Sequence, residues 1–253
     1  MTHDYKKMAR VIIPILVALL SVLVLSKYAS SADFHAKSIA ALDDKKTTVM
    51  ELTAASTAAS AAITFLPGDT ATPIADKLAD LSGYFLIVLC AILLEKYLLT
   101  TTGFAAFGIL IPAACVLISV NALRKNEKMK LLAEKMIVFG LAIFLVVPAS
   151  VGVSNFIEDT YNESIELTIA AAKEATDKIE ESSEAAEGKD EGFFSSVIDK
   201  VQNGVSDITA RLQAVLNNFI EALAVLLVTS CVIPIVVLLF FVGIVKNLLG
   251  GRK

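Results

Sequence analysis

Tryptophan is absent from the 253 residues, and charge is scarce, with only 19% of positions Asp, Glu, Lys or Arg. Ordinary globular chains carry about a quarter. Histidine occurs twice, as His3 and His35, and cysteine three times, as Cys90, Cys115 and Cys231. A zinc centre needs three or four suitably spaced N, S or O ligands, and nothing here supplies them. All three cysteines lie inside apolar runs, are odd in number and form no CxxC, so a disulfide framework is excluded; they are expected to pack as small apolar residues between helices. There is no Gly-rich phosphate loop, no GxSxG and no HExxH, which argues against an enzyme, and no residue set suggests a cofactor. Gly and Pro number 12 and 6, too few for a turn-rich β-barrel, and no segment alternates with period two.

What is present is apolar. Hydrophobic residues make up 56% of the chain, and its mean hydropathy is +0.71. That excludes disorder, and a net charge of -4 opposes nucleic-acid binding. The composition predicts an all-α integral membrane protein whose main partner is the lipid bilayer.

The basic residues Lys6, Lys7 and Arg10 precede an apolar run from Val11 to Leu25, so residues 1–27 read as an N-terminal transmembrane helix. The same pattern resembles a signal peptide with Ser30-Ser31-Ala32 as its cleavage site; smooth continuation into helix-compatible sequence favours a retained helix. Residues 28–82 form a helical segment rich in small residues, with a turn at 67–72. Within it Ala54, Ala58 and Ala62 share one face, and Ser56 and Ser60 another. Small faces allow close helix approach in membranes, and these five residues are the candidate pore lining. Thr72-Pro73 opens the next helix, with Thr72 as N-cap and Pro73 at its first position.

Residues 83–122 are apolar around Glu95-Lys96 and are read either as a membrane hairpin or as a buried helix plus a span, with a turn or kink at Thr100-Thr101-Thr102-Gly103. Glu95 and Lys96 are the candidate intramembrane charges, since charge inside a membrane is expensive and often functional; adjacent residues point about 100° apart, so they do not pair by default. A basic loop at 123–135 follows, then a transmembrane helix at 136–153. Residues 154–218 hold 14 acidic and 5 basic residues, a net of -9. They read as an antiparallel helical hairpin with a tip at 187–192, projecting roughly 40–50 Å. Its second helix carries Phe194, Ile198, Val201, Val205, Ile208, Leu212, Val215 and Phe219 at alternating spacings of four and three, a heptad seam for helix association. The acidic faces Asp159, Glu163, Glu166 and Glu180, Glu184, Glu187 are solvated or receive a protein partner. Residues 219–253 are a C-terminal transmembrane helix with Pro234 inside and a basic tail. Four of the six prolines fall in apolar runs, where spanning helices tolerate them.

Three basic flanks, with 3, 5 and 3 Lys/Arg at residues 1–10, 124–135 and 246–253, are placed on the cytoplasmic side by the positive-inside bias. Both termini are then cytoplasmic, the acidic hairpin is extracytoplasmic, and the compartment is the plasma (bacterial inner) membrane. Parity favours four or six crossings; five requires an outside N-terminus. In the four-span reading, 28–66 and 73–102 are ectodomain helices that join the hairpin as a four-helix bundle, with Tyr84–Leu94 fully buried. In the six-span reading, residues 47–65 also cross. Two functions remain open: a homo-oligomeric pore or channel, or a non-conducting scaffold or sensor whose acidic helical ectodomain binds a protein.

Overall fold

A computed structural model describes residues 2–64, 72–124, 126–187 and 212–250, and no strand occurs among them. The helices are α1 (Thr2–Leu20), α2 (Ser26–Ala29), α3 (Ala36–Ile63), α4 (Thr72–Phe104), α5 (Ile111–Arg124), α6 (Glu127–Glu187), α7 (residues 212–227) and α8 (Ile233–Gly250). Three π-helical segments, Ser21–Leu25, Ala105–Leu110 and Val228–Val232, join α1 to α2, α4 to α5 and α7 to α8. Among the described residues, four helical stretches are long and apolar enough to cross a membrane: Arg10–Ala29, Thr72–Arg124, Glu127–Asp177 and Leu212–Asn247. The described part of α3, Ala36–Ile63, is not among them, because its Ala, Ser and Thr residues lower its hydropathy.

Two expected breaks are absent. Thr100–Gly103 is helical, and residues 72–124 form one continuous helical run rather than a hairpin. The threonine hydroxyls that suggest a turn bond back along the helix instead: Thr101 Oγ1 donates to Tyr97 O (2.9 Å) and Thr102 Oγ1 to Leu98 O (2.6 Å). Each satisfies itself on the preceding turn. The basic stretch 123–135 is mostly helical, since α5 ends at Arg124 and α6 starts at Glu127. Asn121 Oδ1 accepts from Asn126 N–H (2.7 Å), and Asn126 Oδ1 accepts from Lys128 N–H (3.0 Å). Asn126 thus caps α6 as a short polar residue can. The sixth helix then runs 61 residues with Pro148 inside it, so no break separates its membrane candidate from the acidic region.

The chain divides into two compact units. The first comprises Met1–Asp43, Leu93–Ser154 and Val232–Lys253. In it α1 lies antiparallel to α5. Ser119 Oγ approaches Val11 O (3.3 Å), and Ser21 Oγ donates to Phe107 O (2.6 Å). A Cβ on Gly103 would run into the Ala29 carbonyl, so only glycine permits that approach. The Ser21 bond joins two π segments, where the wider turn displaces carbonyls from the regular ladder. Ser30 Oγ and Ser31 Oγ cap Ser26 O and Tyr28 O at 2.7 Å each, and His35 Nε2 lies 2.9 Å from Ala29 O. These contacts satisfy carbonyls that the end of α2 leaves free. Phe144 on α6 packs against Phe34 and Phe107, with centroids 5.9 and 5.1 Å away.

The second unit comprises Asp44–Ile92 and Asn155–Cys231. Helix α3 buries Val49, Leu52, Ala55, Ser56, Ala59 and Ala62, a three-to-four residue stripe. Helix α4 buries Leu78, Leu81, Phe85, Val88 and Ile92 by the same rule. Phe85 meets Phe219 of α7 at 6.1 Å, and both are fully buried. Such a pair adds about 0.5–1.5 kcal/mol beyond area burial. The expectation that Tyr84–Leu94 is fully buried is corrected: Tyr84, Leu86, Ile87 and Leu94 are exposed while Phe85, Val88 and Ile92 are buried. This helix is two-sided even though its sequence is apolar on every side.

Candidate functional site

The small-residue row of α3 splits between interior and surface. Ser56 and Ala62 are buried, Ser60 is half-buried, and Ala54 and Ala58 face outward. Ser60 Oγ donates to Ala75 O of α4 (2.8 Å), and Ser56 Oγ to Thr53 O (3.1 Å). Both hydroxyls are therefore engaged with protein. The four-residue spacing does not bring all five residues to one environment, because 100° per residue lets a strict four-step row drift round the helix.

Glu95 and Lys96 point apart, as adjacent helical residues must. Glu95 is buried on the inner face of α4. Lys96 reaches Asp43, donating to Oδ1 at 2.6 Å and Oδ2 at 2.8 Å. In the second unit Lys45 forms an ion pair with Glu158; the Lys45 side chain is 2% exposed and that of Glu158 16%. Sequence reading missed this pair. Lys45 sits in a run of four charges, Asp43 to Lys46, that resembles a solvated segment. Its three-residue distance from Leu42 and four from Val49, both buried, was the available signal.

Of the proposed heptad seam, Leu212, Val215 and Phe219 are buried; Phe194, Ile198, Val201, Val205 and Ile208 lie outside the described residues. The stripe continues through Ala222 and Leu226. Asp159, Glu163 and Glu166 are exposed along α6, and Asn162 Nδ2 donates to Glu166 Oε1 (3.1 Å). The side chains of Glu180, Glu184 and Glu187 lie outside those described.

Cys115 is buried and Cys231 half-buried, but Cys90 is exposed on α4, which corrects the expectation that all three pack internally. No group of three or more His, Cys, Asp or Glu suited to a metal occurs among the described residues. The arrangement gathers ion pairs and hydroxyl contacts that bind helix to helix. Comparison with known proteins finds no matching family model, no similar curated protein and no similar solved structure.

Proposed function

We propose that this chain is a non-conducting, non-enzymatic membrane scaffold or sensor whose extramembrane helices bind a protein partner. The observation that supports it is the filling of the second unit's interior. Leu52, Leu78, Phe85, Val88, Ile92, Phe219 and Leu226 are all buried there, so this unit is a closed helical body that meets a partner through its surface. The polar side chains beside them are engaged in protein contacts, Lys45 with Glu158 and Ser60 with Ala75. The exposed acidic row Asp159, Glu163, Glu166 on α6 suits a basic partner surface.

A second reading, a pore formed between copies, draws support from Ala54 and Ala58, whose small side chains face outward. Purified protein reconstituted into planar bilayers and dye-loaded vesicles separates the two. The scaffold reading expects neither current nor dye release while voltage and tension are varied. A unitary conductance that Ala58→Trp reduces would replace it with the pore.

A further inference from the structure

Two basic segments far apart in sequence meet at one height in the first unit. Ser119 Oγ beside Val11 O, Ser21 Oγ on Phe107 O and Gly103 against Ala29 share one antiparallel register. Counted back from Val11, it sets Lys6 and Lys7 level with residues 123–124 and Arg10 level with 120. A second register joins α6 to the same helical run, again antiparallel. A Cβ on Gly140 would lie 3.3 Å from Leu110 Cβ, and Phe144 packs on Phe107. This sets Lys128 level with residues 122–123 and Lys130 level with 120–121. Together with Arg124, six basic positions from α1, α5 and α6 fall in a slab about 6 Å thick. Arg10, Arg124, Lys128 and Lys130 are exposed. The acidic positions Asp4 and Glu127 stand at the outer edge of the slab, and Glu134 lies about one turn deeper.

Just inside this collar the exposed side chains turn aliphatic. Ile13 on α1 is 59% exposed, Val116 on α5 54% and Leu132 on α6 50%. The two registers set all three level with residues 116–119. Charge that only orients a chain can sit at any height outside the bilayer. Cations gathered at one level, directly above aliphatic side chains on the same three helices, match a phospholipid along its length. The phosphate meets the collar and the acyl chains meet the aliphatic side chains below. A soluble acidic protein or a free phosphate uses only the first of these two layers.

We propose that this collar binds the headgroups of anionic phospholipids and selects them over zwitterionic ones. Clustered Lys and Arg at the edge of a span draw anionic lipid by local charge, and long basic side chains reach the phosphate level while their stems stay on apolar surface. The proposal rests on the membrane insertion of the reading above and holds whether or not the protein conducts.

Full-length protein in phosphatidylcholine vesicles, with a trace of spin-labelled phosphatidylglycerol or spin-labelled phosphatidylcholine, tests it. Electron paramagnetic resonance separates lipid held at the protein from bulk lipid. The phosphatidylglycerol label is expected to associate at least about threefold more strongly, by an amount that falls as sodium chloride is raised. Arg124→Gln/Lys128→Gln/Lys130→Gln is expected to abolish most of that preference with helicity unchanged. Arg124→Lys/Lys128→Arg/Lys130→Arg, which keeps the charge, is expected to retain it. So is Lys37→Gln/Lys77→Gln/Lys173→Gln, which removes three exposed cations elsewhere. Equal association of the two labels, or equal loss in the two Gln variants, would overturn the proposal with membrane insertion intact. No held lipid of either kind would overturn insertion as well. Inorganic phosphate that lowers the preference more than chloride at matched ionic strength would mark a free-anion site instead. Equal lipid association, with polyglutamate bound by the wild type and not by the collar Gln variant, would assign the collar to an acidic protein.

Discussion

Lys96 and Asp43 lie 53 positions apart in sequence and meet through both carboxylate oxygens. Their side chains are 37% and 45% exposed, so water screens the attraction and the pair stabilises little. Lys45 and Glu158 make the opposite case, with both side chains largely withdrawn from water. Lys96→Ala is expected to change unfolding stability by less than about 1 kcal/mol. Lys45→Ala, which leaves a carboxylate without its cation, is expected to cost about 3–5 kcal/mol. The double replacement Lys45→Met/Glu158→Leu should recover most of that loss. Denaturant titration of the purified protein in detergent measures all three. Equal effects at Lys45 and Lys96 would contradict the burial difference.

Gly103 and Gly152 form a matched pair of helical glycines. A methyl group at Gly103 collides with the Ala29 backbone, while one at Gly152 meets nothing within 4 Å. Gly103→Ala should destabilise by about 1–3 kcal/mol, the usual range for overpacking. Gly152→Ala should instead stabilise by about 0.5–1 kcal/mol through helix propensity. Melting temperatures shifting in the same direction would show that the end of α2 does not approach Gly103 closely.

Leu212 is 1% exposed and its neighbour Gln213 is exposed. Asp at Leu212 places an unpaired charge in the packed stripe and is expected to cost about 2–4 kcal/mol. Asp at Gln213 should stay within about 0.5 kcal/mol. Matching stabilities for the two variants would remove Leu212 from the core.

How much of this was legible beforehand depended on contrast along the sequence. Leu212, Val215 and Phe219 stood out because polar residues separate them, and all three are buried. The two faces of α4 did not stand out. Between Tyr84 and Leu99 nearly every residue is apolar, so a 3.5-residue repeat has no polar background, and only exposure divides Ile87 from Val88. Thr100–Thr102 misled in a different way. Threonine favours turns in water, yet here Thr101 and Thr102 bond to carbonyls one turn back and the helix continues. Local spacing from Leu42 and Val49 puts Lys45 on the inner face of α3, but its partner Glu158, more than a hundred positions away, is not encoded in that spacing.

The proposed membrane scaffold has four helices that cross the membrane, with α3 outside it. Cysteine accessibility at Glu51 tests it most directly. Glu51 is exposed in the middle of α3, and the six-span alternative would place it within the bilayer. In a background without native cysteines, Glu51→Cys is expected to react with a membrane-impermeant maleimide in intact cells, as is Glu163→Cys on α6. Lys128→Cys, beside the α5–α6 connection, should react only after permeabilisation. Protection of position 51 in both conditions, or surface labelling of position 128, would contradict the four-span account.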